Sequence, residues 1–322
     1  MDKRALICGI SGQDGAYLAK LLLERGYEVW GSSRDAEMTA FTNLRHLGIY
    51  DRVHLASLNP REIGSAISLL RRIRPDRIFS LAGQSSVGLS FEQPVETIES
   101  ISLGALTLLE AIRLSDPDIR LYNAGSTECY GDTGDGIANE QSQFHPRSPY
   151  AVAKASAFWT VANYREAYGM FACTGILSNH DSPLRPRRFV TRKVIHAVAS
   201  LAMGKETKLS LGNLEIERDW GWAPEYVEAI AQMLEQPEPQ DYIIATGQSH
   251  TLTQFIDTAF RLIGKEWRDY VTIDKHLIRP TDIRCNKVDP AKAAANLGWK
   301  AKFAMSNVIQ AMLEAEISEL RS

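Results

Sequence analysis

Apolar positions in the first half of the chain alternate between two rhythms. Short continuous runs have the length of buried strands: RALICGI (4–10), YEVWGSS (27–33), RVHLAS (52–57), RIFSLAG (77–83), IRLYNAGS (119–126) and FACTGILSN (171–179). Between them lie segments with apolar residues at helical spacing, over 15–26, 62–75, 94–115 and 148–169. Gly26 and Pro75 are stop signals, Pro94 opens the third segment, and Ser148 with Pro149 reads as a cap followed by a first-turn proline. Strand, helix, strand in this order predicts an α/β fold with a doubly wound, mostly parallel Rossmann sheet. The second half is less regular. It predicts helices over 189–204, 224–236, 251–264 and 305–322, and one strand over 241–247. We expect a dinucleotide-binding lobe over 1–178, with later returns near 222–247 and 286–300. A smaller, mostly helical lobe would take 179–221, 248–285 and 301–322, capping the carboxyl edge of the sheet where open α/β folds bind ligands.

Composition narrows the function class. The 322 residues suffice for one large or two modest domains, and 44% hydrophobic with 23% charged residues is ordinary for a globular protein. A net charge of −3 offers no basic surface for nucleic acid or membrane. No apolar stretch reaches the roughly 18 residues of a membrane span, and the first apolar run is too short for a secretory signal. Cys8, Cys129, Cys173 and Cys285 are scattered without a CxxC pair and read as reduced thiols of a cytoplasmic protein. No spacing suits zinc, so no metal is expected.

The first chemical signal is CGISGQDG, which sets Gly9, Gly12 and Gly15 between the first strand and the first helix. Glycines there permit a tight turn and close approach of backbone N–H groups to a pyrophosphate, and the helix N-terminus adds partial positive charge. The spacing is GxxGxxG rather than GxGxxG. The second strand ends GSSRDAE. Ser33 followed by Arg34 favours the 2′-phosphate of NADP, while Asp35 keeps NAD open.

The second signal is SPYAVAK, with Tyr150 and Lys154 at i and i+4 on one helix face. A phenol with a reference pKa of ~10 is a poor base at neutral pH, and a nearby ammonium favours its anion. With the glycine turn upstream and Ser126 at a strand end, the set resembles the extended, nucleotide-sugar branch of the short-chain dehydrogenase/reductase superfamily. The resemblance implies that Tyr150 is acid and base at a sugar hydroxyl, that Lys154 also holds the nicotinamide ribose, and that Ser126 hydrogen-bonds the reacting oxygen. Glu128 has no place in a plain oxidoreductase. Dehydration does need it: a C4 ketone acidifies the C5 proton, and one carboxylate can remove that proton and protonate the departing C6 hydroxyl. From the residues alone, Glu128 is either this base or a solvated loop acid.

Longer strings sharpen the resemblance. GSTECYG (125–131), the run from Phe144 to Lys193 containing SPYAVAK, NHDSP and FVTRK, and LGNLEIERDWG (211–221) are similar to the GDP-mannose 4,6-dehydratase family. The likeness runs from the glycine turn to NLGWK (296–300). It implies Ser126, Glu128, Tyr150 and Lys154 as catalytic residues. It adds Gln13, Asp14, Leu81, Ala82 and Gln84 to the cofactor set. For a GDP-sugar substrate it implies Ser85, Asn179, Val190, Lys193, Arg218, Arg279 and Asp282, with the arginines on the diphosphate. A homodimer or homotetramer is implied too, pairing through the helices at 94–115 and 148–166 if each keeps an apolar outer face. Several positions depart from the family pattern. Ser126 replaces threonine, SRDAEM (33–38) replaces a basic stretch, and Ser57 stands where an aspartate is common. Asp181 and Asp282 replace glutamates, and Arg187 and Arg188 are additional. These departures keep open another GDP-sugar, such as a GDP-heptose. A reductase or epimerase on the same scaffold, and a catalytically idle nucleotide-binding protein, are the other readings.

Overall fold

The computed structural model describes residues 3–321. In chain order the first half contains β1 (Arg4–Cys8), α1 (Gln13–Glu24), β2 (Glu28–Ser33), α2 (Thr42–His46), β3 (His54–Ser57), α3 (Ile63–Ile73), β4 (Arg77–Ser80), α4 (Val87–Glu92), α5 (Pro94–Ile98), α6 (Gly104–Ser115), β5 (Arg120–Ala124), α7 (Pro149–Tyr168) and β6 (Ala172–Leu177). The second half contains β7 (Asn179–Asp181), α8 (Val190–Ala202), β8 (Leu209–Leu211), β9 (Glu217–Trp222), α9 (Ala223–Met233), β10 (Tyr242–Ile244), β11 (Ser249–Thr251), α10 (Leu252–Arg261), β12 (Val271–Ile273), α11 (Ala291–Leu297) and α12 (Met305–Arg321). Met1, Asp2 and Ser322, which the expected lobe boundaries and last helix include, lie outside the described residues.

Seven strands form one parallel sheet in the order β10-β6-β5-β4-β1-β2-β3. The order reverses between β1 and β4, which makes the carboxyl ends of these two strands the switch point where such sheets take ligands. The register is continuous across it, with Ala5 beside both Val29 and Arg77 and Tyr122 beside Cys173. Alternation explains why β1 is apolar after Arg4. Ala5 and Ile7 join the core beneath α1 and α9, while Leu6 and Cys8 join the core beneath α3 and α6. Each fully buried Leu or Ile contributes about 1.5–3 kcal/mol. Residues from the second half complete this unit: β10 pairs with β6, and α9 packs on α1.

A second core gathers α8, α10 and α12 around Trp220, Phe255 and Phe260. Its strands are short, with β7 and β11 flanking β9 and β12 pairing with β8. These strands, and the short helices α2, α4 and α11, carry too few residues for their periodicity to be read. Two predicted elements change form. The strand expected over 171–179 leaves the large sheet after Leu177, and Asn179–Asp181 pairs instead with Trp220–Trp222 of β9. The helix expected over 94–115 widens into a π-turn at Glu99–Leu103. There Ser100 Oγ accepts the Gln84 N–H and Ser102 Oγ donates to the Ala153 carbonyl, so two serines reach out of the helix to its neighbours.

Candidate active site

A cleft of ≈ 340 Å³ lies over the carboxyl end of the sheet, between the two cores. Its floor begins at the switch point. Gly9 ends β1 with φ +85°, and a Cβ there would lie 2.9 Å from the backbone of Ala82. A Cβ on Gly15 would lie 2.5 Å from the Gly9 carbonyl. Gly12 is the N-cap of α1, and no side chain caps that helix. The glycine spacing therefore follows from crowding between β1, β4 and α1. It leaves the first turn of α1 without a side-chain cap at the edge of the cleft, where Asp14 and Leu81 enter the wall.

Lys154 and Tyr150 stand on the first two turns of α7. Ser148 caps that helix by accepting the Ala151 N–H at 3.1 Å. The Lys154 ammonium donates to the Ala124 carbonyl at 2.6 Å, and burial lowers its pKa to about 8. It lies 5.8 Å from the centre of the Tyr150 ring. Burial raises the Tyr150 phenol above its ordinary range, while a hydrogen bond to Ser126 and the charge of Arg185 act the other way. The neighbours that favour the phenolate here are thus Ser126 and Arg185. Lysine, the neighbour expected from spacing, is turned to a backbone carbonyl.

Ser126 caps the single turn Thr127–Tyr130 by accepting the Glu128 N–H at 3.2 Å. This turn carries Glu128 into the cleft, 8% exposed rather than solvated. Its Oε1 lies 3.3 Å from Arg218 Nε, which comes from β9 in the other core. Arg218 Nη1 donates to the carbonyls of Glu217 and Ile283, both at 2.9 Å, while Nη2 is buried without a hydrogen-bond partner. Asp282 also lines the cleft; its Oδ1 lies 3.7 Å from Arg279 and accepts no hydrogen bond. Burial raises the Asp282 pKa, with Arg279 and Arg218 opposing. An arginine with a free, buried donor is suited to an anion carrying several acceptor oxygens.

The other expected residues divide into two groups. Gln84, Ser85, Asn179, Val190 and Lys193 line the cleft with Ser126, Glu128, Tyr150 and Lys154. Gln84 uses both ends of its amide on the turn before α4, bonding Ser86 and Thr97. Ser33 and Arg34 lie at the end of β2, away from the cleft wall. Ser33 contacts Thr39 at 3.1 Å, and Arg34 pairs with Glu96 at 3.0 Å. Asp35 is occupied locally, accepting the N–H groups of Glu37 and Met38. The sequence reading passed over His180, Arg185 and Thr191, which line the wall beside Arg188. His180 Nε2 lies 2.9 Å from Asp14. The two residues are 166 positions apart, so no local spacing announces the pair.

The chain that forms this cleft has relatives along nearly its whole length. A family model described as GDP-mannose 4,6 dehydratase matches residues 6–312. The chain belongs to the GDP-mannose 4,6-dehydratase family. GDP-mannose 4,6 dehydratase 1 of Arabidopsis thaliana is 45% identical over 98% of this chain and 90% of its own. The GDP-mannose 4,6 dehydratase of Homo sapiens is 36% identical over 99% and 92%. Among solved structures, DesIV of Streptomyces venezuelae, a dTDP-glucose 4,6-dehydratase, superposes with a TM-score of 0.86 over 99% of this chain and 98% of its own. At 22% identity that likeness concerns the fold alone. Among the described residues, no helix is long and apolar enough to cross a membrane, and no three or more His, Cys, Asp or Glu side chains gather as metal ligands.

Proposed function

We propose that this chain is a GDP-mannose 4,6-dehydratase, which converts GDP-mannose to GDP-4-keto-6-deoxymannose with NADP as cofactor. The observation that carries the proposal is Glu128, a buried carboxylate in the same cleft as Ser126, Tyr150 and Lys154, with Arg218 as its partner. The residues around the glycine turn fit a dinucleotide, because the uncapped start of α1 and the backbone at Gly9, Gly12 and Gly15 can accept a diphosphate. Gln13, Asp14, Leu81, Ala82 and Gln84 would complete that site. Ser33 and Arg34 would meet a 2′-phosphate, a reading helped by the local engagement of the Asp35 carboxylate.

When bound, the nicotinamide supplies a hydride acceptor that is regenerated within the same turnover. Tyr150 removes the proton of the C4 hydroxyl, and Ser126 hydrogen-bonds the same oxygen. Lys154, with a pKa of about 8, would return a proton toward the phenol on turning from the Ala124 carbonyl. Glu128 takes the C5 proton made acidic by the C4 ketone. The C6–O bond then breaks, a C5=C6 double bond forms, and Glu128 delivers its proton to the departing hydroxyl as water. Arg218 orients Glu128 before this step. Arg218 and Arg279 would share the diphosphate, with Ser85, Asn179, Val190, Lys193 and Asp282 around the remainder of the GDP-sugar. In this reading the large sheet and its helices serve the dinucleotide, and the α8–α10–α12 core serves the GDP-sugar.

We further propose a cytoplasmic homodimer or homotetramer. The four cysteines are free and buried, which suits a reducing compartment. Helices α5, α6 and α7 pack together and leave Val95, Leu106, Val152 and Trp159 exposed on their outer faces, an apolar patch of the kind buried between subunits. A second reading, the same reaction on another GDP-sugar, draws on Arg188, which is exposed at the cleft wall and has no counterpart in the family pattern. A reductase or 4-epimerase would leave Glu128 without a task.

The test is incubation with NADP⁺ and GDP-mannose in deuterated water, read by mass spectrometry and NMR. Loss of one water, with deuterium at C5 and the original C4 hydrogen at C6, is the expected result. No turnover, with GDP and NADP still bound, would reject GDP-mannose as substrate.

A further inference from the structure

Three hydrogen bonds tie the first turn of α1 to the segment that opens the second core. Ser182 Oγ donates to Gln13 Oε1 at 2.7 Å, Gln13 Nε2 donates to the His180 carbonyl at 3.2 Å, and His180 Nε2 lies 2.9 Å from Asp14 Oδ2. Gln13 and Asp14 are held together as well, at 3.0 Å. On its far side, His180 Nδ1 meets the Ser178 carbonyl at 2.7 Å. Both ring nitrogens therefore face acceptors, a carboxylate and a carbonyl, and only the doubly protonated ring donates to both. The ring also stacks on Tyr226 at 4.5 Å between centroids. Gln13, His180 and Ser182 are all buried. This clasp spans 166–169 positions of sequence.

We infer that the clasp makes dinucleotide and GDP binding interdependent, so that each ligand tightens the other. A diphosphate on the glycine turn engages the backbone of Gln13 and Asp14 and so fixes the side on which the clasp is anchored. The clasped segment continues directly into Arg185, Val190 and Lys193, which line the opposite part of the cleft. Ordering one end through buried hydrogen bonds lowers the ordering cost left for a ligand at the other. Coupling is reciprocal by necessity, and couplings of this kind typically amount to about 5–150-fold in affinity. The inference rests on the proposed function, since it needs both ligands to bind.

The experiment measures GDP dissociation constants by calorimetry on the whole chain, with and without saturating NADP⁺. GDP carries no hexose, so direct contact between sugar and nicotinamide does not enter. Ser182 is fully buried and not part of the cleft wall, so Ser182→Ala cuts one tether without touching either ligand. Ser182→Cys, close in size but with a far weaker donor, serves as the second variant. The expected result is GDP binding at least ~5-fold tighter with NADP⁺ in the parent. In the variants that ratio falls toward one, with each ligand still binding alone. Binding of both ligands with a ratio of one in the parent overturns this inference and leaves the proposed function standing. So does a ratio unchanged in both variants. Failure to bind either ligand overturns the proposed function and the inference with it.

Discussion

Replacing Glu128 by glutamine isolates the proton chemistry from the architecture. The amide has the shape of the carboxylate and keeps an oxygen facing Arg218 Nε, 3.3 Å away in the parent. Removing one partner of a buried pair outright costs about 3–5 kcal/mol. Here only the charge assistance is lost. A charged hydrogen bond is worth about 1.5–3 kcal/mol and roughly twice a neutral one, so the stability cost is ~1 kcal/mol. That lowers Tm by a few degrees, about 2–4 °C per kcal/mol for a chain of this size class. Catalysis responds differently. A general base contributes about 10²–10⁴ in rate, or roughly 3–5.5 kcal/mol of barrier. The expected variant therefore folds, binds NADP⁺, and binds GDP as well as the parent or better, because the carboxylate no longer competes with a diphosphate for Arg218. Its kcat for water loss from GDP-mannose falls by ~10²–10⁴ with KM nearly unchanged. The assay is product formation by NMR in deuterated water beside a thermal melt. Parental turnover with deuterium still entering C5 would falsify the assignment of Glu128 as the C5 base.

Other perturbations test other parts of the reasoning. Gly9→Ala places a Cβ at φ +85° and 2.9 Å from Ala82, so we expect a stability loss above the ~1–2 kcal/mol of a left-handed residue, with NADP⁺ binding lost; an unchanged melt would refute the crowding argument. Asp219 has its pKa raised to about 6 by burial, although it accepts N–H groups of Thr246 and Gly247 and the Ser178 hydroxyl. The folded chain then binds more protons than the unfolded one between pH ~4 and 6, so this residue's contribution declines as pH rises through that window, by roughly 3 kcal/mol. Asp219→Asn should flatten that part of the stability–pH curve, and a variant curve parallel to the parent's counts against it. For Arg34→Ala, NADP affinity should drop ~10-fold with NAD affinity unchanged, since a largely exposed charged contact is screened; equal loss for both cofactors removes Arg34 from the 2′-phosphate. Sedimentation velocity should show the parent as an oligomer and Trp159→Glu as a smaller species, Trp159 being 63% exposed on α7. A parent that sediments as a monomer defeats the proposed interface.

Much of the fold was legible because its signals are local. Continuous apolar runs mark strands buried on two faces, and Ser148–Pro149 sets the start of α7 by capping alone. Tyr150 and Lys154 share a face because a helix places i and i+4 together. Gly9, Gly12 and Gly15 announce a turn, and at Gly9 and Gly15 only glycine fits the separations. What the strings could not show is who meets whom across the fold. Whether Glu128 was solvated or buried depended on Arg218, 90 positions away on a strand too polar to be recognised. The departure of the chain from β6 into β7 was equally hidden, because Asn179–Asp181 becomes a strand only through its pairing with β9. His180 was read as part of a motif and nothing more until the fold set it between Asp14, Ser178 and Tyr226. Dihedral preferences, caps and hydrophobic period act over a few residues, so the sequence alone determined the longer helices and the strands of the large sheet. Desolvation and ion pairing act over a few ångströms of space, and only the tertiary structure decided which distant side chains lie that close.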